Sequence, residues 1–204
     1  ASGGNYNTVV GDEAGTAINT GDNNVAVGYS SGKAMDTGVS NVLVGSSAGT
    51  VLTDANYNTA VGAAALASDV EGNYSTAIGY AALNTQNVAD GVNTYNTAVG
   101  ALAGLAVTTG VSNTFVGGLA GDAAQTNSFS TLVGASTDCS DTSSNNCNGF
   151  GYAISAVTGY TTIGIGTSDI RAEHGVATWA TVSDQRYKKD IVDSTAGLSF
   201  INAL

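Results

Sequence analysis

Proline is absent from this 204-residue chain, and basic side chains are scarce, with 5 Lys and Arg against 16 Asp and Glu. The formal net charge is −11 with its single His counted neutral. A chain so poor in cations has no patch that would displace counterions from phosphates, which argues against nucleic acid as a partner. The same deficit argues against docking on an anionic membrane surface. No apolar run approaches the ~18 residues that cross a bilayer, so no membrane insertion is expected. No basic stretch followed by an apolar one opens the chain as a secretory leader would. Two cysteines and one histidine do not supply the four ligands of a zinc site, and neither a metal nor a cofactor is expected. Disordered Gly-rich chains are usually polar and rich in Pro, Ser or charge, whereas charged residues here are only 10% of the total.

What is abundant is small. Gly occupies 28 positions, and 43% of the chain is hydrophobic, largely Ala and Val. Such a composition can bury a core, but one of small side chains between closely spaced backbones.

A phrase recurs along the sequence. It reads Asn7-Thr8-Val9-Val10-Gly11, Asn24-Val25-Ala26-Val27-Gly28, Asn41-Val42-Leu43-Val44-Gly45, Asn58-Thr59-Ala60-Val61-Gly62 and Ser75-Thr76-Ala77-Ile78-Gly79. It resumes as Asn96-Thr97-Ala98-Val99-Gly100, Asn113-Thr114-Phe115-Val116-Gly117 and Ser130-Thr131-Leu132-Val133-Gly134, with a degenerate copy at Gly149-Phe150-Gly151. The closing glycines lie 17 residues apart except for one step of 21, from Gly79 to Gly100. Strict spacing on both sides of a single insertion, placed within 84–93, predicts a stacked solenoid, because one coil can bulge without disturbing its neighbours.

Thr and Val suit a short strand, Gly a turn of positive φ, and Asn the turn that opens the strand. Asn side chains stacked from coil to coil are expected to form a hydrogen-bonded ladder. The third residue after the closing Gly is Ala14, Ala48, Ala65, Ala82, Ala103 or Ala120, with Ser31 the exception in the first seven units, so little space is expected there. Tyr6, Tyr57, Tyr74, Tyr95 and Phe129 share one register position and predict an aromatic stripe, either stacked for structure or open to sugars.

Successive strand residues face opposite ways, and both the middle and the last residue of the phrase are apolar. One face fills the coil. The other needs a cover, most simply other copies in a parallel homotrimer; the chain's own return loop is the alternative. The fold class expected is therefore all-β, a parallel β-roll or β-solenoid of 17-residue repeats over 1–136. Nine coils at ~4.8 Å predict a rod of about 40 Å.

Period and composition change after about residue 136. An irregular β-rich region is expected over 137–182, with strands at Thr161–Gly166 and Gly175–Val182 and Trp179 as a core or intersubunit anchor. Cys139 and Cys147 lie in an Asp/Ser/Asn-rich stretch and suggest a small disulfide loop, with two free thiols as the alternative.

The repeats look like the head repeats of trimeric autotransporter adhesins, which carry Asn-x-x-Ala-x-Gly in a parallel β-roll; the Asn-to-Gly spacing here is one residue shorter. Similar rolls occur in phage tail fibres. The last segment, 183–204, opens on Ser183-Asp184-Gln185-Arg186-Tyr187-Lys188. It resembles the start of the intramolecular chaperone domain of phage tailspikes and tail fibres, whose signature is Ser-Asp-x-Arg-x-Lys; Ser183, Asp184, Arg186 and Lys188 match it. The resemblance implies a domain that drives trimerisation of the preceding fibre and then cuts itself off, with Ser183 as nucleophile, Lys188 as its base and the break between Val182 and Ser183. A plainer reading makes Ser183 the cap of a short helix with Asp184 in its first turn.

These readings point to a structural and adhesive fibre of a virion, a phage tail fibre involved in host attachment, with a host surface receptor and other tail proteins as partners. A bacterial trimeric surface adhesin or extracellular filament is the alternative. Apart from self-cleavage no enzyme is expected: 17 is not a multiple of six, as hexapeptide-repeat acyltransferases require. An ice-binding solenoid would need more than one Thr per coil.

Overall fold

The computed structural model describes residues 4–89, 91–176 and 179–181, the last three by their backbone alone. It is an all-β solenoid in which each rung contributes one short strand to a single long sheet. Eight three-residue strands carry the repeat: β1 (Thr8–Val10), β2 (Val25–Val27), β3 (Val42–Val44), β4 (Thr59–Val61), β5 (Thr76–Ile78), β6 (Thr97–Val99), β7 (Thr114–Val116) and β8 (Thr131–Val133). Each pairs in parallel with the next in register, so Thr59 lies beside Thr76 and Ala60 beside Ala77. The register persists across the insertion, where Thr76 pairs with Thr97. The extra residues therefore leave the sheet untouched. They lie in the loop before Asn93, which bridges to Asn73 of the rung below.

The closing glycines form a column with φ between 125° and 146° from Gly11 to Gly151. That region is essentially closed to residues with a Cβ. The stacking adds a second reason: a Cβ on Gly62 would lie 2.3 Å from the carbonyl oxygen of Gly79. Each rung also places side-chain-bearing residues at positive φ, as at Ala64 (57°) and Tyr57 (60°). Such turns cost about 1 kcal/mol each for a non-Gly residue, and the backbone bonds to neighbouring rungs hold them in place. One example is Ala64 N–H donating to Ser46 O at 2.9 Å.

The interior is filled from four columns: the middle residue of the strand and the residues three, four and seven past the closing Gly. The expected small column is fully buried at Ala48, Ala65, Ala82, Ala103 and Ala120. The other three columns trade volume. Where the strand supplies Leu43 or Phe115, the fourth position is Gly49 or Gly121, and a Cβ on Gly121 would meet the Phe115 ring at 2.5 Å. Where the strand supplies only Ala60 or Ala77, the fourth position carries the fully buried Leu66 or Leu83. Large and small side chains are thus matched across columns and rungs, as a close-packed interior requires.

The parallel ladder continues past the regular repeats. β10 (Asn148–Tyr152) pairs with β8, and β12 (Tyr160–Ile165) pairs with β10, Gly151 lying beside Gly164. The last parallel step is thus 13 residues rather than 17. A small second sheet, β9 (Asp138–Cys139) on β11 (Ser155–Ala156), sits beside it. The sheet then turns back on itself: β13 (Ser168–Glu173) is antiparallel to β12, and β14 (Trp179–Thr181) is antiparallel to β13. The strand predicted at Thr161–Gly166 corresponds to β12, and β14 falls inside Gly175–Val182. β13, between them, carries Ser168, Asp169 and Arg171 in place of the Thr/Val signature and was not predicted. The expected helix after Val182 and the packing of the Trp179 side chain lie outside the described residues. Among the described residues there is no helix, and none long and apolar enough to cross a membrane.

Candidate interaction surface

The interior polar column explains what the repeat is built around. Asn24, Asn41, Asn58, Asn96 and Asn113 are fully buried. Asn41 Oδ1 accepts the backbone N–H of Asn58 at 3.0 Å, and its Nδ2 donates to Ala55 O at 2.8 Å. Asn24, Asn58, Asn96 and Asn113 repeat both contacts with their own next rung. The predicted ladder exists, mainly as amide-to-backbone stitches rather than amide-to-amide bonds. A buried amide left without such partners would cost a few kcal/mol, so the column fixes the register as firmly as the sheet does.

Ser replaces Asn in two rungs, each preceding an irregular loop. Ser75 precedes the insertion; its hydroxyl meets Thr94 Oγ1 at 2.5 Å and accepts from Gln86 Nε2 at 2.8 Å. Gln86 also donates to Asp69 Oδ2 at 2.5 Å and accepts from Asn96 Nδ2 at 2.8 Å. Burial pushes the Asp69 carboxyl above its ordinary value, against the lowering effect of the Gln86 bond. This internal polar knot was not foreseen, although the Ser at 75 and the 21-residue step were its visible signs. Ser130 is the second replacement, and Cys147 Sγ lies 3.3 Å from its hydroxyl.

The outer face of the sheet has two columns. The first residue of each regular strand is Thr or Val and the third is Val or Ile, without one charge from β1 to β8. Val10, Ile78 and Val116 are exposed, and Val27, Val44, Val61, Val99 and Val133 are half-buried. The return loop does not cover this face.

The aromatic column runs beside the sheet, on the turn that precedes each strand. Tyr57 and Tyr74 stack with centroids 4.9 Å apart and planes 12° apart, and Tyr74 and Tyr95 stack at 5.3 Å and 22°. Offset stacking at such separations is favourable, and it spends the ring faces on each other. The structural half of the expectation holds for this trio.

Apart from the buried Asp69, ionisable side chains over the rod are sparse. Lys33 and Glu13 form an exposed 2.7 Å ion pair, and the Lys33 hydrogen bond holds the Glu13 carboxyl below its ordinary value. A pair so exposed contributes little to stability. In the distal region Asp138 is pushed up to about 6, chiefly by burial, while its carboxylate accepts the N–H of Ala123 at 2.8 Å. Cys139 and Cys147 are joined as a disulfide with Cα atoms 6.1 Å apart. His174 lies 3.2 Å from both Asn148 Nδ2 and Thr161 Oγ1. Among the described residues no carboxylate is bonded to His174 to align it as the base of a nucleophile. Among the described residues no three His, Cys, Asp or Glu side chains come together as metal ligands. Ser183, Asp184, Arg186 and Lys188 lie outside the described residues.

No protein-family model matches the chain, and no curated protein or solved structure matches it.

Proposed function

We propose that the chain is the shaft of a structural and adhesive fibre, a phage tail fibre that assembles as a parallel homotrimer and attaches the virion to a host surface receptor. The observation that carries this reading is the outer face of the sheet. In a chain of net charge −11, two in-register columns of Thr, Val and Ile run from β1 to β8 without a charge. Copies that repel elsewhere meet without penalty along such a face, and burying its Val and Ile removes apolar surface from water at roughly 25 cal/mol per Å². The Ser-Asp-x-Arg-x-Lys signature at Ser183–Lys188, following a β-rod in the sequence, supports a tail fibre over a bacterial surface adhesin. In this reading the segment from Ser183 assists trimerisation, and Lys188 activates Ser183 for release at Val182.

The test is native mass spectrometry of the product of the full gene, wild type and Val99→Asp. A wild-type trimer that Val99→Asp converts to monomer or aggregate is expected, since the Asp would be buried unpaired. A wild-type monomer, or a normal trimer of the variant, overturns the buried-face argument. Chains ending at Val182 beside a released C-terminal piece are expected if the self-cleavage reading holds; uncleaved chains leave Ser183 with the helix-capping role.

A further inference from the structure

The aromatic column is interrupted, and its interruptions are unequal. In rung order it reads Tyr6, Asn23, Ser40, Tyr57, Tyr74, Tyr95, Ser112, Phe129 and Asn146, all with φ between 50° and 61°. Identical backbone placement makes the column a rack with one seat per rung. Ring exposure follows occupancy of the neighbouring seats. Tyr74, with rings on both sides, is 42% exposed; Tyr57 and Tyr95, with one, are 51% and 55%; Phe129, with none, is 59%. The seat at Ser112 is the one non-aromatic seat with an aromatic residue on each side. Its flanking seats, Tyr95 and Phe129, are two rungs apart, about 10 Å at the ~4.8 Å strand spacing. That separation is about twice the 4.9 and 5.3 Å between the stacked tyrosines, so one further ring fits between the two seats. By contrast, two empty seats separate Tyr6 from Tyr57.

Among the described residues, the groups that bond at the walls and rim of this seat are neutral. Tyr95 is tethered by its hydroxyl, which accepts from Asn93 Nδ2 at 3.2 Å. The Ser128 hydroxyl accepts the Val111 N–H at 3.0 Å and keeps its own proton to donate. Ser112 itself is half-buried, with its backbone N–H committed to Thr94 O at 2.7 Å. Aromatic walls with a few hydroxyl and amide groups at the edge and no charge are what a flat polyol ring with an apolar C–H face requires. Resting on the adhesive reading above, we propose that the seat over Ser112, between Tyr95 and Phe129, is a binding site for one neutral hexopyranose ring of a surface glycan.

The test uses the full protein with methyl glycosides of glucose, galactose, mannose and N-acetylglucosamine as probes, followed by saturation-transfer NMR. Ser112→Tyr seats a fourth ring in a position whose backbone already carries Tyr in three successive rungs, so it is expected to fold and to close the site. Ser40→Tyr extends the same stack at its other end and serves as the control. At least one glycoside is expected to receive saturation on its ring C–H face in wild type and Ser40→Tyr, with affinity about tenfold lower or lost in Ser112→Tyr. Transfer to none of the four, or binding indifferent to Ser112→Tyr, overturns the site. Binding of the fibre to host cells, measured in parallel, separates the two readings: cell binding retained by Ser112→Tyr leaves the adhesive fibre standing and removes only this seat.

Discussion

The regular rungs up to Gly134 and the distal region from Thr137 onward share one continuous sheet but are held by different means. In the rod, a buried Asn in most rungs (Asn24, Asn41, Asn58, Asn96 and Asn113) joins its neighbour with two hydrogen bonds, and the same pair of contacts is copied along the column. In the distal region the Asn column ends, the parallel step shortens, and a disulfide between Cys139 and Cys147 and an antiparallel β12–β13 hairpin take over. Among the described residues, three of the four buried side-chain polar atoms without a partner belong to Thr162, Asp169 and Arg171, within that hairpin; the fourth is on Asn127, in the rung next to the last regular strand. A repeat solves its hydrogen bonding once and copies the solution, whereas a termination has to solve each rung separately.

Several changes would break or sharpen this contrast. The largest effect is expected from Gly62→Ala, which forces a Cβ both into φ 137° and to 2.3 Å from the next rung's carbonyl oxygen. A loss of about 3–5 kcal/mol is expected, seen as a lowered melting temperature by circular dichroism, with Ala63→Ser in the same turn as an unaffected control. An equal response of both variants would show that rung contact at the glycine column does not set stability. Asn41→Ala comes next. It orphans the Asn58 N–H and the Ala55 carbonyl inside the rod, for about 2–4 kcal/mol, and hydrogen exchange at Asn58 should rise before exchange elsewhere. Uniform exchange along the rod would mean that the Asn column does not act rung by rung.

The smallest effect belongs to the distal region. Asp138 is raised from 3.8 to about 6 by burial, so the stability it gains from protonation is fully present below pH 3.8 and is lost as pH rises through about 6. Unfolding midpoints should therefore fall as pH rises from 4 to 6 and then level off. Asp138→Asn should flatten that part of the profile; an unchanged profile would assign it to another group, with Asp69 in the rod, also raised by burial, the first to examine.

Much of the rod was legible because its main contacts join copies of the same residue. Thr59 beside Thr76, Gly62 beside Gly79 and the Asn column all lie at one sequence separation, so a period in the letters is a period in space. The aromatic stripe was readable for the same reason. The antiparallel β13 was not, because Asp169 and Arg171 lack the strand signature and a hairpin leaves no period behind. The polar knot of Asp69, Ser75 and Gln86 was missed because Asp69 and Gln86 stand in the column seven past the closing Gly, which is apolar in rungs such as those of Met35, Leu52 and Val107, and because Ser75 joins them from a different column.

The sequence by itself determined the 17-residue rung, the strand within it, the glycine that closes it and the rung that bulges. These follow from local backbone preference and strict repetition. Only the tertiary structure decided which strand face turned inward, how Leu66 and Leu83 make up for Ala60 and Ala77, and that three tyrosines spend their faces on one another while Ser112 leaves a seat open. Each of those depends on volume and exposure summed across different columns and adjacent rungs, and no single column of the repeat carries that sum.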